Sequence, residues 1–222
     1  MLSTKPRNIL IEGLILYGIA IGVILVFQFF AFIPFIKENL GGIAGLVFLF
    51  LPIEWLYRNG AHPADYGITY QRLGNGLLWA ALLALVTFPP YFLAYKLWFG
   101  RPEFHFGLPT TFWKEVIASL LLVALPEEVF YRGYLQTRLD AVFRGRVRIL
   151  GAAVGWSVVV TAALFAVGHL VEPRFDRLGT FFPGLVFGWL RARTGTVAAA
   201  VFFHALCNIW AQVLHYGYFG VT

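Results

Sequence analysis

The stretch Ala124-Leu-Pro-Glu-Glu-Val-Phe-Tyr-Arg-Gly133 decides how this chain is read. It sets two adjacent acids and an arginine at the end of an apolar run, Val116 to Leu125. An ionisable group at such depth costs about 3 kcal/mol unless it is paired or faces a wet cavity, so it marks function. Helix geometry separates the three side chains. At about 100° per residue, Glu128 and Arg132 share a face as an i,i+4 pair, with the acid on the N-terminal side where pairing is best. Glu127 points about 100° from Glu128 and roughly 140° from Arg132. One acid is neutralised within its own helix, and Glu127 is left free for chemistry.

Outward from this stretch the chain is apolar almost throughout. Of its 222 residues 59% are hydrophobic and 13% charged, whereas a soluble domain is about a quarter charged. Apolar segments recur at 9–36, 40–57, 75–99, 113–139, 149–170, 180–191 and 196–217. The expected fold is all-α: a polytopic transmembrane bundle of about seven helices, one of them short or partly re-entrant, forming one domain over 1–222. The short one is 180–191, and the loop Glu172 to Gly179 before it is expected to dip into a protein-lined cavity. Gly18-x-x-x-Gly22, Gly151-x-x-x-Gly155 and Gly184-x-x-x-Gly188 are patterns that let helices approach closely. Pro89-Pro90 should kink or shorten the third helix. Pro126 frees a carbonyl one turn earlier, which a membrane helix tolerates. Glu12 and Glu54, near segment ends, read as hydrated interface residues.

The net charge of +6 comes from arginines scattered between apolar spans, not from a stripe that would suit nucleic acid. With seven crossings and the N-terminus in the cytoplasm, Lys5, Arg7, Arg58, Arg72, Arg138, Arg144, Arg146, Arg148, Arg191 and Arg193 lie inside. Lys37, Arg101, Lys114, Arg174 and Arg177 lie outside, so the basic bias favours this orientation. The first apolar run is too long for a signal-peptide core and should remain as an anchor. A multi-pass protein of a prokaryotic plasma (inner) membrane is expected. The single cysteine, Cys207, excludes an internal disulfide.

Three polar groups on three helices need one explanation: Glu127, His169, and His204 with Asn208, the last two sharing a face at i,i+4. Each alone has a bland account, since a lone membrane histidine is more often an interhelical hydrogen-bond partner. One aqueous site accounts for all of them together. Glu127 lies fourteen residues beyond Trp113, about 21 Å of helix, and His204 eleven beyond Arg193, about 16 Å. His169 fits less well, twenty-one residues beyond Arg148, about 31 Å if the fifth helix starts at the membrane surface.

Glu127-Glu128-x-x-x-Arg132, Phe165-x-x-x-His169 and His204-x-x-x-Asn208, with Arg193-Thr-Gly-Thr196 ahead of the last, resemble the motif set of the CPBP family. These are intramembrane proteases of the type II CAAX prenyl, Abi and bacteriocin-processing group, and the resemblance spans 113–208. It implies an endopeptidase acting on a membrane-associated peptide, such as a prenylated CAAX terminus, a leader or a sorting tail. It maps water activation onto Glu127 and the other catalytic positions onto His169, His204 and Asn208. Phe165, Glu128 and Arg132 would support them. A raised carboxylate pKa suits a general base, and fixed donors at His204 and Asn208 suit an oxyanion. The alternative is zinc held by Glu127, His169 and His204, but neither histidine has the H-E-x-x-H spacing. Asparagine is a poor zinc ligand, so no required cofactor is the favoured expectation. A non-catalytic immunity or partner-binding protein and a proton-coupled transporter are the competing classes.

Overall fold

Long apolar runs with few breakers form helices, and the computed structural model, which describes residues 6–100 and 103–220, is an all-α bundle apart from one small hairpin. The helices are α1 Pro6–Phe29, α2 Pro34–Arg58, α3 Leu73–Phe99, α4 over 112–142, α5 Trp156–Gly168, α6 Phe181–Thr194 and α7 Ala198–Phe219. By length and composition α1, α2, α3 and α7 can each cross a membrane. Their outer faces leave Phe50, Leu85 and Val86 between 61% and 72% exposed, which only an apolar surround makes favourable.

The helix α4 is the axis of the bundle. Every residue from Glu128 to Gln136 is buried, with α1, α2, α5, α6 and α7 packed around it. Two wide turns with i→i+5 bonding, Ser119–Ala124 and Val129–Leu135, flank the segment Leu125–Glu128. Proline has no N–H, so Pro126 cannot serve the carbonyl of Leu122 in a regular α-helix, and a widened turn re-phases the ladder around that gap. At Gly45, α2 passes so close to this carbonyl that an added methyl would overlap it.

Several expectations change. The fifth apolar segment does not begin as helix at 149. Residues Arg146–Ile149 (β1) and Ala152–Gly155 (β2) form an antiparallel hairpin, with Ile149 opposite Ala152. The turn residues Leu150 and Gly151 both have positive φ, 47° and 81°, the backbone sense that matches strand twist in a two-residue loop. Gly151 and Gly155 therefore serve a hairpin and not a helix contact. The 13 residues of α5 and 14 of α6 span about 20 Å each. Two helices, not one, are thus shorter than a ~30 Å hydrocarbon core. The late start of α5 also removes the depth mismatch of His169, which caps that helix.

Elsewhere, Pro89 and Pro90 lie inside α3, which continues to Phe99. Gly18 and Gly22 face no neighbouring atom within 4 Å among the described residues. Arg138 is not a loop cation: it is 6% exposed, pairs with Glu12 at 2.9 Å and lies 4.8 Å over the Trp55 ring. Glu12 is accordingly a partner of α4, whereas Glu54 pairs with Arg58 at the exposed end of α2. Lys5 and Arg101 of the charge count fall outside the described residues.

Because a methyl at Gly45 would overlap the Leu122 carbonyl, Gly45→Ala should lower stability by about 1–3 kcal/mol through overpacking against backbone, read as a drop in thermal melting in detergent. Gly42→Ala, where a methyl meets nothing within 4 Å, should melt like the parent.

Candidate active site

Glu128 has no access to solvent, and its charge is shared between two helices. Its Oε1 accepts from Arg132 Nη1 at 2.9 Å and from His204 Nδ1 at 2.9 Å. Both Glu128 and Arg132 are fully buried. The i,i+4 pairing read from the sequence is present, yet the acid is more than a helix brace, because it also holds the imidazole of α7. Arg132 in turn donates from Nη2 to the Gly184 carbonyl at 3.0 Å. One turn along, Gln136 donates to the Gly188 carbonyl at 3.1 Å. Glycines make both contacts possible: a methyl at Gly188 would overlap Val158, and one at Gly184 would crowd Arg132.

Aromatic rings close this cluster. The Arg132 guanidinium lies 4.5 Å from the Phe165 centroid and 5.0 Å from that of Phe187, where ring faces stabilise a cation. Phe187 also stacks on His204, centroids 4.7 Å apart and planes at 15°. Phe165 meets His169 edge-on at 4.5 Å, and its own carbonyl accepts from His169 Nδ1 at 2.8 Å. Both imidazoles thus carry hydrogen on Nδ1 and turn Nε2 to other work. The start of α7 is pinned as well. Gly195 turns the chain with φ 76°, Val197 N–H donates to the Gly67 carbonyl at 2.9 Å, and the Thr196 hydroxyl donates to the same oxygen at 3.2 Å. That anchor sets the height of His204 along the bundle.

Glu127 faces elsewhere, as the helical wheel requires. It lines a cavity of about 660 Å³ together with His169, His204 and Asn208. Its Oε2 is buried, has no hydrogen-bond partner among the described residues, and lies 3.8 Å from His204 Nε2. The structure therefore brings all four candidate residues to one cavity. Phe165, Glu128 and Arg132 sit behind it in the dry cluster. The segment 172–179 contributes Glu172 and Arg177 to the lining, joined by a 2.9 Å ion pair. Among the described residues, no three of His, Cys, Asp and Glu form a group that could hold a metal ion.

Sequence reading missed Phe187, and it missed Tyr131, Gln28, Ser119 and Gln212 in the cavity lining. For Gln212 a signal existed: His204, Asn208 and Gln212 recur every fourth residue on an otherwise apolar helix. Phe187 carried none, being one of 23 phenylalanines.

Breaking the buried pair should be costly. Arg132→Met strands the Glu128 charge and is expected to lose about 3–5 kcal/mol. The double variant Glu128→Gln with Arg132→Met should melt higher than Arg132→Met alone, since it leaves no buried charge.

Residues 109–210, just under half of the chain, match the family model described as type II CAAX prenyl endopeptidase Rce1-like. No curated protein and no solved structure matches the chain. The matched interval contains Glu127, His169, His204 and Asn208, and it bears out the resemblance drawn from the motifs. Over these residues the chain is similar to the Rce1-like family of type II CAAX prenyl endopeptidases.

Proposed function

We propose that this protein is an intramembrane endopeptidase in which Glu127 activates the water that attacks a peptide carbonyl, with no metal required. The observation that carries the reading is the placement of Glu127. Its unpartnered Oε2 lies in a cavity shared with two histidines and an asparagine. The 3.8 Å separation from His204 Nε2 is too long for a direct hydrogen bond and short enough for one water to bridge.

The chemistry follows from what each group has left to offer. Glu127 takes a proton from water as oxygen adds to the carbonyl carbon, and a positioned base of this kind contributes about 10²–10⁴-fold in rate. His169, with Nδ1 committed to the Phe165 carbonyl, presents Nε2 to accept the second hydrogen of that water. The developing oxyanion needs donors. The Asn208 amide is a donor in any protonation state, and His204, its Nδ1 on the Glu128 carboxylate, donates from Nε2 when the ring is an imidazolium. Collapse of the intermediate breaks the C–N bond, and the proton held by Glu127 passes to the leaving amine. Arg132 and the Phe165 and Phe187 rings keep Glu128 and His204 from turning.

The substrate class follows the matched family: a membrane-associated peptide, with a prenylated Cys-aliphatic-aliphatic-X terminus as the first candidate. The lining suits a mixed ligand, since Ile24, Phe48 and Val123 stand beside the polar groups. The basic end of the bundle, with Arg144, Arg148 and Arg193 exposed, is the end we assign to the cytoplasm.

The test is cleavage of a prenylated peptide of that terminal type by protein reconstituted in vesicles. Glu127→Gln should fold like the parent and lose at least about a hundredfold in rate. Glu128→Gln should lose both rate and thermal stability, because it loosens two helices. Activity should persist in a chelator. Equal cleavage by the Glu127→Gln and parent proteins would remove this mechanism, and chelator-sensitive activity restored by zinc would replace it with the metal one.

A further inference from the structure

Above Glu127 the cavity carries polar groups for which the hydrolytic step has no use. The antiparallel helices α4 and α7 are in contact at two polar pairs, Glu127 with His204 and Glu115 with Tyr216, the latter a 2.7 Å hydrogen bond from the Tyr216 hydroxyl. Each pair of positions is twelve residues apart on its own helix. Ser119, eight residues before Glu127, therefore lies opposite Gln212, eight beyond His204. Both line the cavity, as does Gln28 from α1. Ser119 Oγ, Gln212 Oε1 and Gln28 Oε1 are buried and have no hydrogen-bond partner among the described residues, and Ser119 is only 5% exposed.

Three helices thus each bring one unsatisfied neutral polar group to the same wall, at a depth where an unpaired group costs about 1–3 kcal/mol. We propose that Gln28, Ser119 and Gln212 form a main-chain-binding subsite for an extended peptide on its way to Glu127. This inference rests on the endopeptidase reading and deepens it. A peptide that leaves water for a membrane-embedded cavity must exchange every hydration bond of its N–H and C=O groups for a protein one. A side-chain amide both donates and accepts, and so does a hydroxyl, which matches the alternation of a peptide backbone. From Ser119 to Glu127 is about 12 Å of helix, the length of roughly four extended residues.

The same wall is ill suited to a lipid. An acyl chain would leave the three groups unsatisfied. A phosphate headgroup would meet Glu115 and Glu127, with the nearby cation Arg177 already paired to Glu172.

Main-chain recognition is tolerant of sequence, so the probe is a hydrophobic hexapeptide of alternating Leu and Ala and its twin N-methylated at alternate amides. Binding is measured to the Glu127→Gln protein in lipid nanodiscs, where no turnover intrudes. The unmethylated peptide should bind about tenfold tighter or more, from one or two hydrogen bonds. Adding Ser119→Ala and Gln212→Met should bring that ratio close to one. Equal binding of the twins, a ratio untouched by those substitutions, or no binding of the parent peptide would each overturn the proposal. The twin comparison alone decides the matter if the multiple variant does not fold. Discrimination between the twins beside cleavage that ignores Glu127→Gln would remove the hydrolytic reading and keep the subsite. Glu127-dependent cleavage without discrimination would do the reverse.

Discussion

A carboxylate sealed from water must share its charge or lose it, and Glu128 shares its own with a guanidinium and an imidazole. Its Oε1 accepts from Arg132 on the same helix and from His204 on α7. Arg132 then holds α6 through the Gly184 carbonyl. Three helices are tied through three side chains, Glu128, Arg132 and His204, in a space walled by Phe165 and Phe187. The low dielectric of that space makes each bond strong and any missing partner expensive. The arrangement leaves no freedom for the His204 ring: its Nδ1 is committed, its plane is stacked on Phe187, and its Nε2 is directed toward Glu127.

The pairing also explains why two adjacent glutamates behave so differently. Consecutive residues on a helix point about 100° apart, so one enters the dry cluster and its neighbour enters the cavity. Side-chain exposure follows this division, 0% for Glu128 and 16% for Glu127. The buried acid ties helices together, and its partly exposed neighbour opens on the cavity. The widened turn Ser119–Ala124 ahead of the two acids accommodates Pro126, which removes a backbone donor just before them.

Much of this was legible in one dimension. Charged residues in an apolar run are informative because burying them is so unfavourable, and the i,i+4 rule assigned Glu128 to Arg132 without coordinates. What misled were local patterns that several structures satisfy equally. Arg146 to Gly155 is apolar enough to extend a helix, yet Gly151 and its neighbour Leu150 adopt positive φ and close a hairpin. Gly18 and Gly22 have helix-contact spacing but face no described neighbour. Arg138 was counted with the loop cations because nothing in its neighbourhood announces Glu12, 126 residues away, as its partner.

From its residues alone the chain determined an all-α membrane bundle, the different helix faces of Glu127 and Glu128, and the short roll of polar candidates set in apolar helices. Those are consequences of hydrophobicity and helical period, both of which act within a few turns. Only tertiary packing decided that Glu128 reaches His204, that Phe187 lies against that ring, and that Ser119 and Gln212 line one cavity. Such contacts join positions dozens of residues apart, and their partners are chosen by the crossing and depth of helices, which no local pattern encodes.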